Sequence, residues 1–422
     1  MKIQKCKGMR DLSPAEMAVF RLIEGVFRDC CLGWGYREVR TPTIEYLHLF
    51  TSAGTLTPGM LGRVYSFLDW DGWSGDRVVL RPDGTIPVAR LYIDSMVDRE
   101  PARLFYVDNI FIFEETGKKS RERWQCGAEL IGAGSAAADA ELVALSLEVL
   151  KRLKLGEVEV KLSHAGLMKA LLASLGLSPE EQASVFDQIL DGNGEALACL
   201  RASNPALEGA LLPLLNLKGQ SAGFLRNSRA LLAQHLPGIV PYLDSFMDTV
   251  ELLEAMGCKY RIDIASGAGF EYYTGMIFQL FAGDEKIGGG GRYDALIPSM
   301  GGGDIPASGF ALYADRLMNL IRPAELAGPA PKQVLVRVES QEPGVLAAAF
   351  NVAGQLRQAG YVAGLDLGGR EPEGLRWVLG VRGGKPPFSL EDRAGGSRAE
   401  VGAIGEVLEL LEAEGADENS PA

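Results

Sequence analysis

Residues 261–316 read RIDIASGAGFEYYTGMIFQLFAGDEKIGGGGRYDALIPSMGGGDIPASGFALYADR, and their reading decides the fold. Arg261, Ile262, Asp263 and Ile264 alternate as a half-buried strand does. Ser266, Gly267, Ala268 and Gly269 then make a turn in which glycine permits a close backbone approach. Tyr272, Tyr273 and Thr274 lead into a second β-rich run at 276–281. Four glycines, Gly288 to Gly291, precede Arg292, Tyr293 and Asp294. That density of glycine argues against a helix or a packed strand. It predicts backbone lying against a small ligand, walled by tyrosines. A flexible hairpin with aromatic packing is the plainer alternative.

Working outward, residues 7–14 (KGMRDLSP) open the chain's first element. Ser13 with Glu16 makes a capping box, and Pro14 suits a first helical turn. A helix is predicted over 14–31, ended by Gly33 and Gly35, then a strand at 37–42. Residues 78–85 (VVLRPDGT) predict a strand and turn, with a helix from Pro87 to about Met96. Strands are predicted at 103–107, 109–115, 123–132 and 157–163, and helices at 135–153 and 165–175. From Ser178 to about Met256 the leucines and alanines fall at helical spacing, without strand signals. After a proline- and alanine-rich linker at 323–331 come a strand at 334–338, a helix at 346–359, a strand at 377–381 and a helix at 401–414.

Composition bounds the function. The chain has 422 residues, enough for two or three domains, and its 47% hydrophobic and 23% charged residues suit an ordinary soluble protein. No apolar run approaches the roughly 20 residues of a membrane helix. The start, MKIQKCKGMRD, lacks the apolar core of a signal peptide. The six cysteines form no CxxC pair and read as free thiols in a reducing cytoplasm. The histidines, His48, His164 and His235, are scattered, so no metal and no cofactor is expected. The net charge is −13, and no basic cluster stands out of the kind that nucleic-acid binders use against phosphate.

The order GFEYYTGMIF, GGGGRYD, PASGFALYADRL resembles histidyl-tRNA synthetase and its class II relatives. The resemblance covers nearly the whole chain. It implies an α+β fold: an antiparallel sheet flanked by helices over 1–325, with a helical insertion at about 176–256. A shortened α/β region like an anticodon-binding domain would span 331–415, and 416–422 would be a disordered tail. From Pro331 onward there are nine basic and fourteen acidic residues, so no basic face for tRNA is expected.

The match is uneven. In the family, Arg-Pro-Glu-Gly-Thr supplies an acid and a threonine for the amino group of histidine, and Asp83 and Thr85 keep both functions. An Asp in such a turn also bonds its own backbone. Gln125 and Glu129 match the family's pair that reads the imidazole and the amino group, and Tyr272 and Tyr273 its paired tyrosines. Motif 2 begins Phe-Arg-x-Glu, whose arginine grips the α-phosphate of ATP; Phe111 and Glu114 match, but Ile112 stands in the arginine position. Ala268 stands where the family has a second arginine. Arg316 keeps the triphosphate-binding arginine of motif 3, while Tyr313 replaces a glycine and would intrude where adenine lies.

The groups for holding free histidine remain, and those for activating it are gone. This split resembles the regulatory subunits of ATP phosphoribosyltransferase, the first enzyme of histidine biosynthesis. That resemblance implies no catalytic residue here, a short-form catalytic subunit as partner, free histidine as ligand, and a homodimer within a hetero-oligomer. Neither tRNA nor membrane would be a partner. A divergent histidyl-tRNA synthetase and a pure interaction module remain the alternatives.

Overall fold

The structure is a computed structural model; it describes residues 4–53, 62–70, 75–97, 101–113, 120–174, 178, 181, 218–233, 236–264, 273–323, 332–368 and 375–416. The chain divides into two compact units, Met1–Leu326 and Ala327–Ala422. Tyr272, Ala268, Glu114, most of the expected insertion and the end of the tail lie outside the described residues.

In the first unit the strands are β1 (Arg37–Glu38), β2 (Ile44–Tyr46), β3 (Ser66–Trp70), β4 (Gly75–Leu80), β5 (Ala102–Phe111), β6 (Glu122–Ile131), β7 (Val158–His164), β8 (Lys218–Gly219), β9 (Arg261–Asp263), β10 (Met276–Ala282), β11 (Glu285–Arg292) and β12 (Ala307–Tyr313). Nine of them form one sheet in the order β1-β5-β6-β12-β11-β10-β7-β9-β8. Its central pairs, from β5 to β7, are all antiparallel. β2, β4 and β3 form a small second sheet.

The expected first helix is Pro14–Gly33, and its capping box is complete: Ser13 Oγ accepts from the Glu16 amide, and Glu16 accepts from the Ser13 amide at 2.7 Å. This helix, Ala136–Arg152 and Val240–Ala255 bury their apolar stripes against one face of the large sheet. There Phe27 meets Phe105 edge-on at 6.0 Å and Phe310 at 6.3 Å. Thr85–Ser95 and Leu296–Ser299 cover one end of the opposite face. The rest of that face carries the site.

Two expectations fail. The glycine tract is a packed strand: Gly288 to Gly291 lie buried in β11, between β10 and β12. Side chains alternate across a strand. A Cβ on Gly288 would sit 2.7 Å from Leu312 Cδ2, and one on Gly290 2.5 Å from Phe310 Cβ. The core face has no space for them, so packing overrides the poor strand propensity of glycine. Secondly, Lys218–Gly219 forms the strand β8 inside the stretch read as strand-free.

The second unit holds β13 (Gln333–Val338), β14 (Val362–Leu365), β15 (Trp377–Val381), β16 (Phe388–Asp392) and β17 (Ser397–Val401), in the order β14-β13-β15-β16-β17. Helices Pro343–Gln358 and Ile404–Ala416 pack on the sheet through Val336, Leu379, Leu356 and Leu411. β14, β16 and β17 are additions to the expected elements. β15, β16 and β17 form an antiparallel meander, which needs no crossover helix. No helix among the described residues is long and apolar enough to cross a membrane.

Candidate functional site

β6 runs through the centre of the site. Its register sets Glu129 opposite Gly309 of β12 and Leu104 of β5, and Gln125 opposite Tyr313 and Asp108. A Cβ at Gly309 would fall on the Glu129 carboxylate, so the glycine opens the space that this side chain occupies. Glu129 is 1% exposed. Thr85 Oγ1 donates to its Oε1 at 2.8 Å, and the Tyr293 hydroxyl donates to its Oε2. Burial pushes the carboxyl up to about 8; the two hydroxyl donors pull the other way, and Asp83 nearby adds to the rise. Among the described residues no cation pairs with it.

Asp83 lies in the turn before the helix Thr85–Ser95. Its Oδ1 accepts from the Ile86 amide at 2.9 Å, so the plain turn reading of this residue is also realised. It keeps part of its surface open, yet its surroundings push it up to about 6 through desolvation, opposed by the amides of Ile86, Thr85 and Gly84. The turn itself is held by Arg81, which is 2% exposed. Arg81 pairs with Asp108 at 2.9 Å and donates to the carbonyls of Asn109 at 2.7 Å and Thr41 at 3.0 Å. Arg81 is thus a structural anchor.

Gln125 is 6% exposed and its Oε1 meets no hydrogen-bond donor among the described residues. Tyr273 is buried; burial holds its phenol well above the usual range, with Tyr313, Glu129 and Asp83 adding to that. Its ring lies against Gly291, where a Cβ would come within 3.1 Å of Cε1. Of the six expected ligand residues, Asp83, Thr85, Glu129 and Tyr273 converge, Gln125 faces the same side of the sheet, and Tyr272 is not described.

Between these walls runs a trough of small residues, partly filled from its sides: the Glu129 carboxylate stands over Gly309 and the Tyr273 ring against Gly291. Gly127, Ala311 and Gly289 line up across β6, β12 and β11, with Gly309 and Gly291 in the neighbouring row. Two of the four tract glycines, Gly289 and Gly291, therefore face this trough, while Gly288 and Gly290 face the core. At the near end Tyr106 fills the space over Gly127 and Gly84.

The activating half is different. Ile112, half-buried just past β5, brings only a hydrocarbon side chain; its amide donates to the Arg121 carbonyl at 2.9 Å. Arg316 is ion-paired with Glu285 and lies 5.8 Å from the Tyr313 ring centre. Among the described residues no cluster of three His, Cys, Asp or Glu side chains could hold a metal.

Sequence reasoning missed Tyr293. The GGRYD run was visible, but only the fold shows that Tyr293 turns to Glu129. Its neighbour Arg292 turns to the core and pairs with Asp139 at 2.7 Å.

A family model described as histidyl-tRNA synthetase matches residues 8–317. An ATP phosphoribosyltransferase regulatory subunit of Dehalococcoides mccartyi is 48% identical over 412 residues, 98% of this chain and 99% of that one. A histidine–tRNA ligase of Methanosarcina acetivorans is 34% identical over 366 residues, 85% of this chain and 83% of that one. The crystal structure of an ATP phosphoribosyltransferase regulatory subunit/histidyl-tRNA synthetase from Bacillus halodurans superposes with a TM-score of 0.78 at 26% identity, covering 91% of this chain and 99% of that one. The chain belongs to the histidyl-tRNA synthetase family and, within it, to the ATP phosphoribosyltransferase regulatory subunits.

Proposed function

We propose that this chain is the non-catalytic subunit of a hetero-oligomeric ATP phosphoribosyltransferase in the cytoplasm. It switches on a short catalytic subunit and carries the histidine signal that turns the first step of histidine biosynthesis down. The observation that carries the reading is the 48% identity, over 98% of the chain, to a protein bearing that name. The site is in keeping with it. Glu129, Thr85 and Tyr293 form an intact acceptor for a cationic amino group, while the position of the phosphate-gripping arginine holds Ile112.

Free histidine is the ligand of the pocket. Asp83 and Glu129 take the ammonium; Gln125, Tyr272 and Tyr273 take the imidazole. The chain dimerises through its first helix and strand, and tRNA is not a partner. The test is to mix the purified chain with a short-form phosphoribosyltransferase and follow sedimentation and turnover. A joint, faster-sedimenting species with raised activity that histidine lowers is expected. A chain that neither joins nor activates the catalytic subunit overturns the proposal.

A further inference from the structure

We propose that Tyr313 closes the mouth of this pocket and makes it select an amino acid with a free carboxylate, to which its hydroxyl donates. The inference rests on the free-histidine reading of the site.

The pocket has a closed end and an open one. Ala307, Gly309, Ala311 and Tyr313 alternate onto the site face of β12. The first two are buried and the last two half-buried. On β6, Ile131 and Glu129 are each 1% exposed, Gln125 is 6% exposed, and Arg123 is half-buried. Helices Thr85–Ser95 and Leu296–Ser299 cover the Ala307 end. Burial therefore loosens toward Tyr313, and the opening lies there.

Tyr313 stands across that opening. β12 runs between β6 and β11. Asp83 belongs to the β6 flank, where Thr85, two residues on, bonds Glu129. Tyr273 belongs to the β11 flank, with its ring against Gly291. The Tyr313 phenol feels the charge of Asp83 and in turn acts on the Tyr273 phenol, so it lies between the two flanks. Its backbone is held on both sides: it pairs in register with Gln125 and leads directly into the helix Ala314–Leu320.

The charges at the mouth pick out one end of the ligand. Burial raises the Tyr313 phenol above its ordinary value; Arg316 and Arg123 pull against that, and Asp83 adds to it. Arg316 lies 5.8 Å from the ring centre. It pairs with Glu285, and Arg123 donates to the Ser120 carbonyl at 3.1 Å, yet both still favour negative charge at the phenol. The one anionic group of free histidine is its carboxylate. With the ammonium held at Asp83 and Glu129, that carboxylate turns toward the arginines and meets the phenol. A protonated phenol donates, and a hydrogen bond to an ionised acceptor is a strong one. A carboxyl extended as an ester brings no charge and collides with the ring.

The test is calorimetric titration of histidine and of histidine benzyl ester into the full-length protein, Tyr313→Phe and Tyr313→Gly. The two ligands share ring and amino group, and comparing the proteins at one pH cancels the ligands' own differences in ionisation. The parent should bind the ester at least tenfold more weakly than histidine. The phenylalanine variant keeps the ring and its packing; it should still reject the ester but bind histidine about tenfold more weakly, the scale of a lost hydrogen bond to a charged group. The glycine variant should bind the ester about tenfold or more tightly than the parent does, a gain that a merely structural role for Tyr313 would not create. A parent that takes the ester as well as histidine, parent-like histidine affinity in the phenylalanine variant, or a glycine variant with no gain for the ester overturns the proposal. A parent that binds neither ligand refutes the pocket reading itself, and this proposal with it.

Discussion

Tyr293 donates its phenolic hydrogen to Glu129 across 164 positions of sequence. The bond sorts the GGRYD motif into separate tasks. Arg292 turns inward to Asp139 and to the carbonyls of Ala133 and Ser135, which locks the end of β11 to the start of the helix Ala136–Arg152. Asp294 accepts from the Ala307 amide at 3.0 Å and holds β12 in place. Only Tyr293 reaches the pocket, where it and Thr85 occupy both oxygens of a buried carboxyl.

That carboxyl should couple ligand capture to proton release. Burial pushes Glu129 up to about 8, which favours the protonated carboxyl at pH 7 before a ligand binds. An ammonium stabilises the ionised form. Binding should therefore expel most of a proton at pH 7, and affinity should climb between pH 6 and 8. Calorimetry at pH 7 in two buffers of different ionisation heat measures the count directly. Histidine binding with no proton exchanged would show that Glu129 is already ionised.

The same group makes a prediction without ligand. Its folded-state pKa, about 8, lies above the ordinary 4.5 of the unfolded chain. Between those values the folded state binds more protons, so stability should fall as pH rises through that window. Glu129→Gln imitates the protonated form and should flatten the decline. Melting curves at pH 5, 7 and 9 decide it, and equal slopes for parent and variant refute it.

Glu129→Ala should abolish the stabilisation by histidine. A ligand at about 100 times its dissociation constant adds about 2.7 kcal/mol to the folded state, a rise of a few degrees in Tm. Histamine, which lacks the carboxylate, and other amino acids should give much less. If the alanine variant and the parent shift alike, the ammonium is held elsewhere.

Much of this architecture was legible because local and global signals agree. Ser13 and Glu16 announce the first helix, and the apolar periodicity of 135–153 announces the helix Ala136–Arg152. The glycine tract misled because strand propensity describes an average neighbour. Here the neighbours are Phe310 and Leu312 on one face and, on the other, the Phe278 and Met276 carbonyls, 2.7 Å and 2.5 Å from where a Cβ on Gly289 or Gly291 would sit, so only glycine suits both. The hairpin of β3 and β4 was half missed, although Asp71-Gly72 after the aromatic run at 65–70 was a usable turn cue. In the site, Thr85 and Glu129 were readable as a motif. Tyr293 and Tyr106 were not, because facing direction depends on register, and one residue of slip reverses it.

The Arg292–Asp139 pair is buried, with burial pushing Asp139 up to about 6 against the pull of Arg292. Removing one partner of such a pair leaves a charge without solvent or counter-ion, at a cost of about 3–5 kcal/mol. Asp139→Ala should lower the unfolding free energy by that amount, read as a lower urea midpoint with little change in slope. It should also weaken the histidine response, since Arg292 sets the end of the strand that carries Tyr293. A variant with the parent's midpoint would show the pair to be dispensable.

The chain should not activate histidine with ATP. In-line attack on the α-phosphate needs preorganised charge where negative charge develops, and one such donor typically carries on the order of 10²–10³ in rate. Ile112 brings no donor to the position where related ligases have an arginine, and Ala268 stands at the second such position. Arg316, the one retained cation of that set, is occupied by Glu285 and lies against Tyr313. Histidine-dependent exchange of pyrophosphate into ATP should thus lie far below the roughly 1–10³ s⁻¹ of ordinary enzymes. Ile112→Arg alone should not rescue it, because Tyr313 and Ala268 stay unchanged. Exchange at an ordinary rate in the parent protein would overturn the regulatory reading and make the chain a ligase.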